Sequence, residues 1–342
     1  MKSITFLRRH RLSIFVLFAV AGILAGLWFL GAIRYPAAGD EEIVTVYIPR
    51  GTTFSQVVNL VDDKGLIRSR LIFRALAYYY SAPSQIKAGE YEFSRAMSAG
   101  DILQKLIRGE VKAYGIVVPE GFTVRKIAAR LAAQGLVEEK EFLRLARDKD
   151  FLATLQIPAA SAEGFLFPDT YNIDRTMDTR TIMRMMSDRF QAKVTGSMIE
   201  KARAQGLGLK QWVTLASIIE KETGSREEMP LVSAVFYNRL RIKMPLQSDP
   251  TVIYGIDNFD GNLTRKDLER QNPYNTYLNR GLPPGPICSP GMDALQAALN
   301  PAPVTYLYFV SRNDGTHQFS ATLAEHSRAV RKFQIIRKSS GN

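Results

Sequence analysis

Two glutamates stand at the end of an otherwise apolar stretch, "LASIIEKETG" at residues 215–224. If residues 209–223 form a helix that turns about 100° per residue, Glu220 and Glu222 point about 160° apart, so they do not form a carboxylate pair. Glu220 lies on one flank of the apolar face, in the last turn of this helix. The helix dipole and desolvation by apolar neighbours both favour a carboxyl group that keeps its proton near neutral pH. Such a group can act as a general acid, although a glutamate at this edge of a helix could also simply reach into water.

Helical spacing of apolar residues is present on both sides of this segment. Gly224 is a plausible end for the helix, and Ser225 with Glu228 has the pattern of a capping box for the next one. The spacing predicts helices at 140–148, 178–205, 209–223 and 226–241.

A stretch rich in proline, glycine and asparagine follows at residues 245–291. A loop of this length inside a compact domain is usually functional or disordered, and its aromatic residues argue against disorder. It could therefore form the wall of a cleft beside Glu220. Farther on, residues 305–310 alternate like a strand, "RNDG" is a turn and "HQFS" returns as a second strand. Thr322 and Glu325 then have the spacing of a capping box for a last helix.

The N-terminus carries the clearest physical signal. Residues 12–33 contain no charged side chain and are long enough, at ~1.5 Å per residue, to span a ~30 Å hydrocarbon core. By the positive-inside rule we expect a single transmembrane helix in the lipid bilayer, with its N-terminus in the cytoplasm and the chain after Arg34 outside. The alternative is a cleaved signal peptide, with "YPAAG" as the cleavage site, but the apolar run exceeds the ~7–15 residues of its usual core. No acidic residue precedes the segment, whereas four basic ones do: Lys2, Arg8, Arg9 and Arg11.

Composition is that of a folded protein. The chain has 342 residues, enough for two domains, and its 46% hydrophobic and 23% charged content excludes general disorder. The net charge is +12, and about +7 remains after the first 34 residues, which suits ordinary solubility or attraction to anionic lipid or an acidic polymer. Nucleic acid is not an expected partner outside the membrane. A single cysteine, Cys288, excludes an intrachain disulfide.

A weak internal repeat follows the N-terminal segment. "YIPRGTTFSQVVNLVDDKGLI" (47–67) is similar to "VVPEGFTVRKIAARLAAQGLV" (117–137), and "YEFSRAMSAGDILQKLIRGEV" (91–111) is a fainter copy. Each copy has the pattern of a strand, a capped turn and an amphipathic helix. Any strand–turn–helix unit would produce this pattern. A LysM-like module, a small α+β unit that binds glycan strands, would produce it too.

Five sequence motifs occur in order along the chain: "AEGFLFPDTY" (162–171), "LASIIEKET", "LQSDPTVIYG", "NPYNTYLNRGLPPGPICSPG" and "GTHQFSATLAEH". Together with the N-terminal segment and the repeat, they resemble the endolytic murein transglycosylase (YceG-like) family over essentially the whole chain from about residue 12. The resemblance implies a bacterial inner-membrane enzyme that faces the periplasm. It would cut nascent peptidoglycan strands between N-acetylmuramic acid and N-acetylglucosamine. Such enzymes are thought to end glycan elongation and to work beside cell-wall synthases, the penicillin-binding proteins.

The resemblance places the family's catalytic glutamate at Glu220. A lytic transglycosylase needs one carboxyl group, whereas most glycosidases use two, on opposite sides of the bond. Glu220 would protonate the glycosidic oxygen, and the C6 hydroxyl of the muramic residue would attack C1 while Glu220 takes back a proton. The product is a 1,6-anhydro sugar, and no water, metal or cofactor takes part.

We therefore expect an α+β fold with an N-terminal transmembrane helix, a small LysM-like α+β domain and a mixed α+β catalytic domain. The expected boundaries are a cytoplasmic tail at 1–11, the transmembrane helix at 12–33, a linker at 34–42, the LysM-like domain at 43–115, the catalytic domain at 116–337 and a tail at 338–342.

Polar residues of the long loop are further candidates for substrate binding. Gln247, Asp249 and Thr251 could hydrogen-bond sugar hydroxyls or orient Glu220, or they could form a turn with an Asp-Pro cap. Asn275 could polarise an N-acetyl group or close a turn.

Aromatic and acidic residues complete the set. Tyr254, Tyr274 and Tyr277 could stack on sugar rings or belong to the core. Glu222 could support Glu220 or pair with a neighbouring cation, and Glu163 is a candidate for the cleft.

Histidines do not indicate a metal site. His317 and His326 are nine residues apart and lack the spacing of a helical metal pair, and His10 is the only other histidine. His317 is kept as a candidate for substrate binding or support.

Two other functions fit the same sequence: a membrane-tethered glycan-binding scaffold without activity, and a hydrolase that uses water. Replacing Glu220 tests the first, and the mass of the product tests the second.

Overall fold

The computed structural model describes residues 41–335 without interruption and, before them, residues 17, 19–20, 22–24, 26–27, 31 and 35–36. Within this described part of the chain, no helix is long and apolar enough to cross a membrane. Much of the expected transmembrane segment 12–33, together with the tails 1–11 and 338–342, lies outside the described residues. The membrane anchor therefore stays a prediction.

The chain divides into two compact units. One comprises the residues up to Tyr114 together with Asp174–Thr176, and the other comprises Gly115–Ile173 and the residues from Met177 onwards. Among the described residues, helices combine with three two-stranded sheets, so the fold is α+β as expected.

The first unit is built on one antiparallel pair of strands. β1 (Ile43–Ile48) pairs with β2 (Gly89–Ser94), with Ile43 opposite Ser94 and Ile48 opposite Gly89. The other elements of this unit are α1 (Phe54–Asp63), α2 (Arg70–Tyr79), a 3-10 turn (Ala82–Ser84) and α3 (Ala99–Arg108). Its buried core includes Phe73, Tyr91, Phe93, Ile102 and Leu106.

The second unit is largely helical. Its strands are β3 (Tyr114–Val117), which pairs with β4 (Thr170–Ile173), and β5 (Tyr308–Ser311), which pairs antiparallel with β6 (His317–Ser320). Its helices are α4 (Val124–Ala133), α5 (Glu139–Leu145), α6 (Lys149–Thr154), α7 (Thr179–Lys193), α8 (Gly196–Ala204), α9 (Leu209–Glu222), α10 (Met229–Arg241), α11 (Asp249–Tyr254), α12 (Arg265–Leu268), α13 (Met292–Leu299) and α14 (Leu323–Val330), followed by a π-helical turn (Arg331–Ile335).

All three copies of the repeat have the predicted strand, cap and helix. Thr53, Ser98 and Thr123 have extended backbones and stand at the N-caps of α1, α3 and α4. The hydroxyls of Ser98 and Thr123 accept hydrogen bonds from the backbone N–H groups three residues later. Such bonds satisfy N–H groups that have no partner inside the helix.

The C-terminal prediction is also confirmed. β5 and β6 form the expected hairpin, with Tyr308 opposite Ser320. Thr322 and Glu325 form the capping box of α14.

The predicted helix at 178–205 is two helices. α7 ends before Val194, which has an extended backbone, and Thr195 begins α8 by accepting a hydrogen bond from Met198 N. Apolar spacing continues through this point, so the spacing alone did not reveal the break.

The predicted capping box of Ser225 and Glu228 is absent. α10 begins at Met229, and Ser225 Oγ donates to Glu227 instead. The carboxylate of Glu228 accepts a hydrogen bond of 2.9 Å from the backbone N–H of His317 on β6. A tertiary contact has therefore taken the side chain that the local pattern assigned to the cap.

The stretch 245–291 is ordered by two short helices, α11 and α12, and by asparagine side chains. Asn272 Nδ2 donates to Gly255 O at 2.9 Å, and Asn279 Nδ2 donates to Asn272 O at 2.8 Å. These amides bond to backbone groups that regular secondary structure leaves without partners here.

Helix α9 runs through the core of the second unit. Every residue from Trp212 to Ile219 is buried. Trp212 Nε1 donates to Leu295 O at 3.0 Å, where α9 packs against α13. Because close-packed interiors tolerate little displacement, the residue that follows this buried run is firmly positioned. That residue is Glu220.

Candidate active site

The carboxyl group of Glu220 is half-buried in the last turn of α9, as predicted. Its Oε2 accepts a hydrogen bond of 3.0 Å from Gly291 N. Burial raises the pKa of Glu220; the Gly291 hydrogen bond lowers it, the charge of Glu120 raises it, Lys221 lowers it and Asp293 raises it. The net direction is upward, so this group keeps its proton to a higher pH than an ordinary glutamate, as a general acid requires.

Two loops meet beside Glu220. The loop between β3 and α4 is joined to the loop before α13 by two backbone hydrogen bonds of 2.8 Å, Gly121 N to Ser289 O and Ser289 N to Phe122 O. Gly121 has φ +73°, and a Cβ at this position would lie 3.7 Å from Cγ of Glu220. The first loop therefore packs directly on the side chain of the glutamate.

The first loop also brings a further carboxylate, that of Glu120, next to Gly291 of the second loop. A Cβ at Gly291 would lie 2.0 Å from Oε1 of Glu120, which is far closer than non-bonded atoms approach. Because Gly291 has no side chain, the Glu120 carboxylate can lie next to the Gly291 backbone, whose N–H also binds Glu220.

The segment before Gly291 is hydrogen-bonded to Ser217 on α9. Ile287 N donates to Ser217 Oγ at 3.0 Å, and Cys288 Sγ donates to Ser217 O at 3.3 Å. Burial raises the pKa of Cys288 well above its ordinary value, so the thiol stays neutral and has a packing role.

Glu222 contacts a different loop. It accepts a hydrogen bond from Ser248 Oγ, next to the start of α11. Burial raises the pKa of Glu222 to about 7, the Ser248 hydrogen bond lowers it, Asp249 raises it and Arg239 lowers it. Glu220 and Glu222 therefore have separate partners, which agrees with their opposite directions on the helix.

Residues 247–251 are held by hydrogen bonds to Thr276. Gln247 N donates to Thr276 O at 3.1 Å, and Ser248 N donates to Thr276 Oγ1 at 3.0 Å. Thr251 is buried, and its hydroxyl lies 2.8 Å from Thr276 Oγ1 and donates to Ser248 O at 2.7 Å. Thr251 thus holds the loop together, whereas the side chain of Gln247 is exposed, on a backbone with φ +50°.

Asn275 and Tyr277 also make contacts within the chain. Asn275 is completely buried; its Nδ2 donates to Leu268 O and Arg270 O, both at 2.9 Å, and its Oδ1 accepts from Tyr277 N. Its amide closes the turn. Tyr277 OH donates to the exposed Asp249 at 2.6 Å.

Glu163 is buried at the N-terminus of α4. Its Oε1 accepts from Val124 N at 3.0 Å, and its Oε2 accepts from Tyr254 OH at 3.1 Å. Burial raises the pKa of Glu163 to about 7, although both hydrogen bonds and Arg147 lower it. The Tyr254 ring lies 4.8 Å from the ring of Tyr274. Both tyrosines are half-buried, so this cluster connects the stretch 245–291 to Glu163 and the start of α4.

His317 makes a bidentate contact with Glu228. Its backbone N–H donates to Oε1, and its Nδ1 lies 2.7 Å from Oε2. Among the described residues there is no group of three or more His, Cys, Asp or Glu side chains that could hold a metal ion.

The sequence pointed to Glu220 and missed the groups that surround it. Glu120, Gly291 and Asp293 are separated from Glu220 by about 70 to 100 positions along the chain. The glycines of "PEGF" and "CSPG" were the available signal, because a glycine in a turn often marks a close approach.

The chain is similar to known proteins over most of its length. The profile of the YceG-like family matches residues 46–332. A Bacillus subtilis (strain 168) protein named endolytic murein transglycosylase is 33% identical over 335 residues, which is 91% of this chain and 91% of that protein. This chain belongs to the YceG-like family.

Two further proteins are similar to this chain. A protein of Streptococcus pneumoniae (strain D39), also named endolytic murein transglycosylase, is 29% identical over 348 residues. That match includes 92% of this chain and 62% of the pneumococcal protein. A crystal structure of a YceG-like protein from Listeria monocytogenes is 34% identical, with a TM-score of 0.58 over 84% of this chain and 99% of that one.

Proposed function

We propose that this protein is an endolytic murein lytic transglycosylase that cleaves peptidoglycan glycan strands between N-acetylmuramic acid and N-acetylglucosamine. The observation that carries the proposal is the half-buried carboxyl group of Glu220 at the end of α9, held by Gly291 N and protonated to higher pH than usual. The names of the B. subtilis and S. pneumoniae relatives support murein as the substrate.

The reaction needs one acid that acts twice. Gly291 N–H binds Oε2 of Glu220 and leaves Oε1 to carry the proton. Oε1 donates this proton to the glycosidic oxygen as the bond from C1 of the muramic residue breaks. The carboxylate then removes the proton of the C6 hydroxyl as that oxygen attacks C1. The products are a 1,6-anhydro-muramic end and a free hydroxyl on the glucosamine, and Glu220 is protonated again.

A second carboxylate on the opposite side of the bond would indicate hydrolysis instead. Glu222 does not supply one, because it is bonded to Ser248 on a different loop. Glu163 does not supply one either, because both of its oxygens are bonded inside the protein.

The cellular setting belongs to the same proposal. Residues 12–33 anchor the protein in the inner membrane with its N-terminus in the cytoplasm, and the chain after Arg34 lies in the periplasm. The first unit, LysM-like, holds the glycan strand, and the enzyme ends the elongation of nascent strands beside the penicillin-binding proteins.

Replacing Glu220 tests the proposal. Glu220→Gln keeps an acceptor for Gly291 N but has no proton to donate, so we expect cleavage to fall at least ~10²-fold. The readout is mass spectrometry of purified sacculi after digestion. Glu200→Gln, at an exposed carboxylate on α8, is the matched control and keeps full activity.

Three results would contradict the proposal, each in a different way. Ends that are one water heavier than anhydro ends identify a hydrolase. If Glu220→Gln releases as much product as the parent protein, Glu220 is not the acid; if the parent binds glycan and releases nothing, the protein is a scaffold.

A further inference from the structure

The Glu120 carboxylate has no evident structural use. It is exposed, and it makes no hydrogen bond or ion pair with any residue that the structure describes. Yet it occupies a specific place, since its Oε1 fills the space that a side chain at Gly291 would need. An exposed glutamate without a role would be expected to extend into water.

The backbone around Glu120 is firmly held. Val118 N donates to Asp169 O at 2.9 Å, and the residue after Glu120, Gly121, donates to Ser289 O at 2.8 Å. The Glu120 carboxylate is thus carried on a fixed loop to the same glycine that donates to Glu220.

We propose that Glu120 is a positioning residue of the transglycosylase reaction: its negative charge, held against the Gly291 peptide, keeps the proton on Glu220 until substrate is bound. This inference rests on the proposed function and deepens it. The physical basis is that a like charge nearby makes ionisation of a carboxyl group less favourable.

Other charged residues near Glu220 also shift its pKa. Lys221 on α9 opposes Glu120, and Asp293 on α13 acts with it. Asp293 is ion-paired with Arg226 at 2.7 Å, which offsets its charge. Cys288 is buried and neutral. Glu120 is therefore the acidic neighbour whose charge is least compensated.

The test is the pH profile of anhydro-end release from purified sacculi by the full-length protein. A general acid works only while protonated, so activity falls as pH rises through its pKa. Glu120→Gln removes the charge that raises the pKa of Glu220, and the alkaline limb should move to lower pH. We expect roughly three- to tenfold less activity at pH 8 and little change at pH 5.

Two further variants separate charge from structure. Gly291→Ala keeps the N–H donor, and its φ of −75° suits alanine, but its Cβ displaces the Glu120 carboxylate. It should move the limb in the same direction as Glu120→Gln, and combining both changes should add nothing. Lys221→Gln should move the limb to higher pH. Glu139→Gln, at an exposed carboxylate on α5, should leave the profile unchanged.

Salt provides an independent check, because the charge of an exposed group is screened. At ~0.5 M NaCl the difference between the parent and Glu120→Gln should become smaller. A loss of activity that is equal at every pH, or an alkaline limb that does not move, would overturn the proposal.

A titration without substrate keeps the inference separate from the proposed function. In protein labelled with ¹³C-glutamate, the signal that disappears in Glu220→Gln reports the pKa of Glu220. This pKa should be lower in Glu120→Gln and higher in Lys221→Gln. If the parent makes no anhydro ends, the proposed function fails, and the titration alone decides whether Glu120 acts on Glu220.

Discussion

At the scale of the residue, three carboxyl groups in the described part of the chain share a raised pKa, and they differ in how accessible they are to a substrate. Glu163, Glu220 and Glu222 are all shifted upward by burial. Both oxygens of Glu163 are bonded inside the protein, and Glu222 is bonded to Ser248. Glu220 has one oxygen bonded to a backbone N–H and lies at a half-exposed helix end. A raised pKa is therefore insufficient to identify the acid, because a proton donor must also reach its substrate.

Protonation of Glu222 should make the free energy of unfolding depend on pH. Its pKa is raised from an ordinary 4.5 to about 7, so the folded protein holds this proton more tightly than the unfolded chain does. The stabilisation is complete below pH ~4.5 and is lost as the pH rises through about 7. Glu222→Gln removes this loss, and we expect the variant to be more stable than the parent at pH 8 by on the order of 2 kcal/mol.

Thermal unfolding at pH 5 and pH 8 measures this effect. Glu269→Gln, at an exposed carboxylate beside Arg265, is the control and should follow the parent. The product of Glu222→Gln should still carry anhydro ends. If parent and variant lose stability equally between the two pH values, Glu222 does not carry the buried proton assigned to it.

At the scale of the element, the helix that carries Glu220 can be predicted from its apolar spacing, whereas the loops around it cannot. α9 is a buried helix whose last turn presents Glu220, and its apolar spacing predicts its bounds closely. The loop 245–291 depends on individual side chains for its shape, because it has few regular backbone hydrogen bonds. The Asn275 side chain bonds to three backbone groups in it, and the Thr276 hydroxyl bonds to Ser248 N and to the hydroxyl of Thr251.

Asn275 should therefore be structurally indispensable to this loop. Asn275→Ala leaves Leu268 O, Arg270 O and Tyr277 N without their side-chain partner, inside a buried site. We expect a loss of roughly 2–3 kcal/mol in the free energy of unfolding, measured by chemical denaturation.

Gln271→Ala provides the comparison for this loss. Gln271 lies in the same loop and is exposed, so its replacement should change stability by less than ~0.5 kcal/mol. Equal stability of the two variants would show that the Asn275 amide does not hold the loop.

At the scale of the whole molecule, the chain combines two compact units with an N-terminal segment that has the composition of a membrane anchor. Glu220, the two loops beside it and the stretch 245–291 all belong to the second unit. The proposed chemistry and the predicted membrane attachment therefore belong to different parts of the chain.

Removal of residues 1–34 should abolish membrane attachment and leave the cleavage activity intact. We expect the shortened protein to stay in solution after centrifugation and to release anhydro ends from purified glycan. Circular dichroism confirms that it is folded, and the full-length protein in detergent is the reference. A folded but inactive product would mean that the N-terminal segment does more than hold the enzyme in place.

Local features were readable from the sequence because they depend on neighbours within a few positions. Thr53, Ser98 and Thr123 cap helices through groups three residues away, and the spacing of α9 places Glu220 at its end. Where a distant partner competes, local patterns fail: Glu228 leaves its predicted cap for His317, 89 positions away.

The sequence by itself determined the α+β class, the helix that carries Glu220 and the family to which the motifs belong. Only the tertiary structure decided what surrounds the acid, since Gly291 is 71 positions from Glu220 and Glu120 is on a different loop. The physical reason is that burial and charge act through space. The pKa of a carboxyl group depends on which distant segments the fold brings within a few ångströms of it.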